Sequence, residues 1–381
     1  MARPDQTARH ISKECLAARN LGPPSRPQRA TPWPSYATFV FRLGSGTLLS
    51  MWRRYLRITL LFVSAAFAQD RFVAVGADVL RVSRDNTLTR VLQLGPVEFD
   101  LRFGSTEPRI SPDQHWIAYI KDHNAWLRPT GTGEAIQLTT AGKDSAGRYL
   151  PVKVFLVGFT PDSKQLMYSI APGKDECPDC KRTELLPRKA DYGFFLYTLR
   201  SRRAWKQPVP ESTRVFDIVA SDRLFIASVG AYGDVLGLLK LPAHGFDALP
   251  PRCASASSCT LAANGSLATC TQIGNDHSQI IECDIRSGTE STVSPEGACI
   301  TEFQRPSRSP AASHLAYLQI PDRCGSLTRV LWIDQKPRFQ CLKADGYGWI
   351  DENRLLVQCD QEFVAIDVEG KKLSAIPRKP N

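Results

Sequence analysis

The chain has 381 residues, 43% hydrophobic and 23% charged, with 48 Lys and Arg against 38 Asp and Glu and a formal net charge of +10. That excess sits in residues 1–68, which hold ten basic and two acidic residues; from Gln69 onward the balance is only +2, with no long Lys/Arg run. Neither a nucleic-acid track nor a polybasic membrane patch is therefore read from the sequence.

Residues 1–50 are rich in Arg and Pro ("LGPPSRPQRATPWPS") and have no sustained apolar period. "MWRRYLRITLLFVSAAFAQD" follows, with Arg53, Arg54 and Arg57 ahead of an apolar run from Ile58 to Ala68 that ends in Ala66-Phe67-Ala68. That is the layout of a secretory leader, and its apolar run is too short to span a bilayer, which needs about 20 residues. The expectation is a spurious or disordered extension over 1–50, a signal peptide over 51–68, and an exported domain over 69–381 located in the periplasm or secreted. No stable membrane span remains after cleavage.

Ten of the eleven cysteines fall in the exported part, an even number that points to disulfides in an oxidising compartment. No linker or charge run divides those 313 residues, so one domain is expected.

In chain order, "RFVAVGADVLRVSRDNTLTRVLQL" (71–94) supplies two or three strands. The segments "ISPDQHWIAYI" from Ile110 and "FTPDSKQLMYSI" from Phe159 then share one pattern: Ser/Thr-Pro-Asp, a few polar or mixed residues, and an alternating apolar run. Proline presets φ and aspartate bonds back to the backbone, so each is a hairpin turn. Fainter copies place Ile117, Leu166, Leu224, Leu267, Leu315 and Leu355 at equivalent inward positions. Their spacing of roughly 40 to 60 residues is that of propeller blades with insertions.

The repeat resembles that of the TolB-like periplasmic β-propellers, a relative of the WD-repeat blade marked by Ser-Pro-Asp-Gly. Here Gln114 and Ser163 stand where that glycine belongs. The resemblance covers most of 104–376 and implies an all-β propeller of four-stranded blades. Six hairpins plus the strands of 71–94 give seven blades, the first incomplete; six blades with a covering hairpin is the alternative.

No nucleophile elbow, zinc-protease helix, phosphate loop or dinucleotide fingerprint occurs, the histidines are scattered singly, and no catalytic residue, metal site or cofactor is assigned. In "KDECPDCKR" a structural disulfide between Cys177 and Cys180 is expected to stiffen a loop inserted between the second and third strands of its blade. Lys174, Asp175, Glu176, Asp179, Lys181 and Arg182 make that loop the candidate binding lip. A second disulfide, Cys270–Cys283, is expected across a hairpin turning at Asn275–Ser278, since symmetric positions on such a hairpin face each other. The functional expectation is a monomeric, non-catalytic module that binds a protein or another envelope component and no nucleic acid. The alternative is a hydrolase, lactonase or cyclase with its site in the central channel.

Overall fold

In the computed structural model the described residues run from Asp70 to Arg378, without 101–102, 141–151, 173–191, 211–212, 221–222, 231–232, 241–244, 249–255, 263–265, 274–277, 286, 296–301, 321–327, 343 and 345. They form seven antiparallel sheets and, among the described residues, no helix.

Blade 1 is β1 (Arg71–Val75), β2 (Asp78–Val82) and β3 (Leu88–Gln93), followed by a short hairpin, β4 (Phe99–Asp100) and β5 (Gly104–Ser105). Blade 2 is β6 (Arg109–Ile110), β7 (Trp116–Lys121), β8 (Asn124–Pro129) and β9 (Ile136–Gln137). Blade 3 is β10 (Val152–Phe159), β11 (Gln165–Pro172), β12 (Gly193–Thr198) and β13 (Arg203–Gln207). Blade 4 is β14 (Thr213–Ala220), β15 (Arg223–Gly230), β16 (Gly233–Lys240) and β17 (Gly245–Ala248). Blade 5 is β18 (Ala256–Leu261), β19 (Leu267–Ile273), β20 (Ser278–Asp284) and β21 (Glu290–Thr292). Blade 6 is β22 (Glu302–Arg308), β23 (Leu315–Ile320), β24 (Arg329–Ile333) and β25 (Lys336–Cys341). Blade 7 is β26 (Gly346–Asp351), β27 (Arg354–Gln358), β28 (Glu362–Asp367) and β29 (Lys372–Pro377). The seven-bladed expectation with an incomplete first blade is met.

The core is a ring of seven apolar slabs, one between each pair of neighbouring blades. Val79, Ile117 and Tyr119 join blades 1 and 2, and Leu127, Val154, Leu156 and Tyr168 join 2 and 3. Met167, Leu196, Val215 and Leu239 join 3 and 4; Leu236, Ala268 and Ile281 join 4 and 5. Ile280, Phe303 and Tyr317 join 5 and 6; Leu318, Leu331, Leu355 and Val364 join 6 and 7. Val73, Leu80, Leu356 and Phe363 close 7 onto 1. Five of the six aligned inward residues are buried; Leu267 is half-buried, and its neighbour Ala268 takes the buried place.

The strands alternate in direction, so first–second and third–fourth turns share one side, here the turn face. Second–third turns and blade-to-blade links share the other, the crossing face. The Ser/Thr-Pro-Asp turns are built alike. Ser111 Oγ donates to Asp113 Oδ1 and accepts the Trp116 N–H, and Asp113 Oδ1 accepts the His115 N–H. Thr160, Asp162, Lys164 and Gln165 repeat the network in blade 3. Each turn ends at a residue with positive φ, Gln114 (φ 65°) in the first and Ser163 (φ 58°) in the second.

Blade 1 lacks a particular strand. The Phe72 N–H meets Gln114 on the turn face, while the Gly76 N–H meets Glu107 Oε1 at 3.1 Å on the crossing face. Strand β1 therefore runs against its neighbours β6 and β26, in the direction of a second strand, and the first strand is the missing one among the described residues. Gly346 and Gly348 let β1 lie close to β26, since a Cβ on Gly348 would stand 2.8 Å from Val73 Cγ1 and 3.0 Å from the Ala74 carbonyl oxygen.

Candidate functional site

The link from blade 1 to blade 2 departs from the direct path. After Gln93 the chain crosses the face, with the Leu94 N–H held by the Ala77 carbonyl, and forms the β4–β5 hairpin. That hairpin bypasses blade 2 and adds to the inner edge of β10, where Ser105 stands opposite Leu156. It thus lies inside the ring. Phe103 anchors it, its ring centroid 6.4 Å from Phe155 and 6.1 Å from Phe194, while its carbonyl accepts the Ser169 hydroxyl at 2.6 Å. Gly104 permits the approach: it has φ +117°, and a Cβ there would lie 2.6 Å from the Leu156 carbonyl oxygen.

Between this excursion and the second–third turn of blade 2 lies an open cavity of about 600 Å³. One wall is Leu92 to Pro96, with Glu98 and Thr106; the other is Tyr119 to His123, with Lys153 and Val154. The first wall is pinned by the Thr106 hydroxyl, which accepts the Glu98 N–H at 2.7 Å, and by the 2.8 Å ion pair of Glu98 with Lys153. The second is a two-residue hairpin turn, Asp122 and His123 both having positive φ, as such turns require. Thr139 Oγ1 braces it by donating to Asn124 Oδ1 and accepting the Ala125 N–H. Beside the cavity Val97 and Phe99 are exposed, Phe99 at 67%. The lining mixes apolar side chains with Glu98, Lys121, Asp122, His123 and Lys153. The excursion could have been suspected from the fifteen residues between Gln93 and Arg109 and the apolar Val97 and Phe99 after Gly95-Pro96.

On the innermost strands one carboxyl group stands out among the described residues. Asp217 follows a bulge in β14, the innermost strand of blade 4. Burial pushes its pKa up, against the lowering influence of the Ile218 N–H, the Arg109 guanidinium and the Leu261 N–H. Arg109 belongs to blade 2, so its charge acts on Asp217 from another blade. Among the described residues no group of three or more His, Cys, Asp or Glu could hold a metal ion.

Two disulfides have both cysteines among the described residues. Cys259 and Cys270 bridge β18 and β19 within blade 5, directly opposite in register with Cα atoms 4.1 Å apart. Cys341, at the end of β25, joins Cys359, just after β27, and so links blades 6 and 7 on the crossing face. The expected Cys270–Cys283 bridge is corrected by this: Cys270 is already bonded to Cys259. The register explains why, because in the β19–β20 pair Cys270 faces Ile281 and Cys283 faces Ala268, two residues out of step. Cys283 is itself disulfide-bonded. Cys177, Cys180, Lys174, Asp175, Glu176, Asp179, Lys181 and Arg182 lie outside the described residues; their segment links β11 to β12, the second and third strands of blade 3.

The seven radially packed sheets define a β-propeller. No family model matches the chain, and no curated protein does. Among solved structures, its fold is similar to TolB from Acinetobacter baumannii, at 13% identity over 80% of this chain and 63% of that one, with a TM-score of 0.44. It is also similar to a putative TolB from Agrobacterium tumefaciens, at 11% identity over 81% of this chain and 90% of that one, with a TM-score of 0.42. The acylaminoacyl peptidase of Pyrococcus horikoshii aligns at 14% identity over 78% of this chain and 47% of that one, with a TM-score of 0.48. The chain thus spans less than two thirds of the Acinetobacter TolB and less than half of the peptidase. The likeness to the TolB structures is one of fold.

Proposed function

We propose that residues 69–381 act as an exported, monomeric, non-catalytic propeller that binds a protein or another cell-envelope component on its crossing face, in the periplasm or outside the cell. The observation that carries this reading is the cavity of about 600 Å³ on that face, with exposed Val97 and Phe99 next in the chain to its lining residues Pro96 and Glu98. Binding sites favour concave surfaces with apolar walls and a few placed polar groups. The two disulfides fit an oxidising compartment. The 173–190 loop, with its Cys177–Cys180 bridge, would form the lip of the same face, since second–third connections emerge there.

Affinity capture from the native envelope with the tagged exported protein tests the reading. Val97→Asp with Phe99→Asp should cut partner recovery at least ten-fold, and a Gly/Ser replacement of Lys174 to Arg182 should weaken it; full recovery with both variants overturns it. N-terminal sequencing should begin near Gln69, whereas a mature product retaining Arg3 to Arg42 would remove the export premise.

A second reading rests on Asp217. A buried carboxyl on an innermost strand, with its pKa raised by burial and an arginine of another blade acting on it, can hold and deliver a proton in a hydrolase- or lyase-type reaction. An activity that Asp217→Asn abolishes while the protein stays folded would favour this reading over the first.

A further inference from the structure

Strand β13 is the outermost strand of blade 3, and the turn that leads into it lies on the turn face. Every residue from Arg200 to Lys206 is exposed. The stretch presents Arg200, Arg202, Arg203 and Lys206 together with Trp205, which is 50% exposed and one of few large apolar side chains so open to water among the described residues. The fold adds a fifth cation that sequence proximity does not show. The Leu199 N–H donates to the Lys164 carbonyl at 3.0 Å, bringing the first–second turn of blade 3 alongside the third–fourth turn. Among the described residues of this corner the acid is Asp162, paired with Lys164 at 3.2 Å.

Elsewhere on the described surface some exposed cations meet carboxylates, as Arg81 meets Asp70 and Lys372 meets Glu362, and others such as Arg84 and Lys336 are not clustered with further arginines. Arg200, Arg202 and Arg203 make no ion pair among the described residues. Since the exported part is close to neutral, this is a local concentration of charge rather than a share of a general excess.

The geometry points to a peripheral docking surface for an anionic membrane at this corner, with the arginines at the headgroup phosphates and Trp205 at the interface. The choice of a membrane follows from the shape and the residue types. The cations sit on an outermost strand and two adjoining turns, where a broad anionic surface meets all of them together. Each Lys or Arg near such a surface adds a modest attraction that salt screens. Tryptophan is enriched at headgroup depth because its ring is apolar and its N–H polar. The corner lies on the turn face, so a protein held there leaves the crossing face and its cavity free; this inference stands apart from the binding role proposed above.

Co-sedimentation of the full exported protein with vesicles tests it. Binding is expected with phosphatidylglycerol/phosphatidylcholine vesicles, not with phosphatidylcholine alone, and should fall as salt rises. The triple variant Arg200→Glu/Arg202→Glu/Arg203→Glu should lower partitioning by about 100-fold or more, with the milder Arg→Gln triple as a check that the loss is not unfolding. Trp205→Ala should lower it by roughly ten-fold, and Lys336→Glu, an exposed cation on blade 6, should leave it unchanged. Equal binding to both vesicle types, or wild-type binding by both triple variants, overturns the proposal. Competition by soluble polyglutamate together with an indifferent Trp205→Ala also overturns it, assigning the corner to an acidic macromolecule.

Discussion

Gln114 Oε1 accepts the main-chain N–H of Phe72 at 2.7 Å, so the first turn of blade 2 holds the inner strand of blade 1. The same position in blade 3, Ser163, accepts the Asp113 N–H through its hydroxyl at 2.9 Å. Both residues have positive φ, where TolB-like repeats carry glycine. A non-glycine residue there bears roughly 1 kcal/mol of backbone strain, offset by a hydrogen bond to the preceding blade worth about the same. Gln114→Ala keeps the strain and loses the bond, and should destabilise by about 1 kcal/mol in urea unfolding. Gln114→Gly loses both and should stay within roughly 0.5 kcal/mol of the wild type.

Blades 6 and 7 are clasped through Glu352, which accepts hydrogen bonds from the Ser309 and Ser313 hydroxyls and the Ala311 and Ser313 N–H groups. Burial raises its pKa, but the four donors prevail and lower it to about 2. A folded-state pKa below the unfolded value gives stability that is present above the unfolded pKa and lost as pH falls through the folded one. The clasp should therefore weaken between pH 4.5 and about 2. Glu352→Gln should cost about 1 kcal/mol at neutral pH, since the site is partly open to water, and should flatten the stability profile over that acid interval in pH-dependent unfolding.

Non-reducing peptide mapping should recover Cys259 joined to Cys270, and Cys341 joined to Cys359. Cys341→Ser with Cys359→Ser should lower stability by about 2–4 kcal/mol, with blades 6 and 7 gaining amide exchange first. A map that links Cys270 to Cys283 would contradict the blade 5 register.

Gly348→Val places side-chain atoms where Val73 and the Ala74 carbonyl already stand. A loss of about 1–3 kcal/mol is expected, with limited proteolysis opening blade 1 ahead of the others. Gly95→Ala, with nothing within 4 Å, should leave stability unchanged and serves as the control.

The blades were legible because their first turns are chemically explicit. Ser111, Pro112 and Asp113 specify a reversal, and the residues after it alternate with a period that only a half-buried strand sustains. The cysteine pairing was less legible for a countable reason. Cys270 lies symmetrically opposite Cys259 about one turn and opposite Cys283 about the next, and only the register of β19, which sets Cys270 against Ile281, separates the two. The excursion at 94–106 was hidden because strands of two residues leave no periodicity. The cationic corner was hidden because Lys164 reaches the Arg200 turn through the third dimension.

Among the described residues, no sheet contains both the first and the last strand of the ring. Among the described residues β1 lies against β26 face to face, and Asn86 spans the seam by accepting from Arg354 through its side chain and from Ser374 through its carbonyl. A propeller whose two ends interlace within one blade has its circumference locked by backbone pairing. Here, among the described residues, the joint between blades 7 and 1 has no strand pairing and is held by apolar packing and by hydrogen bonds in which side chains take part. The same joint lets the described ring be permuted: a linker from Arg378 to Asp70 with a cut between β13 and β14 would keep the same seven sheets in a new order of synthesis.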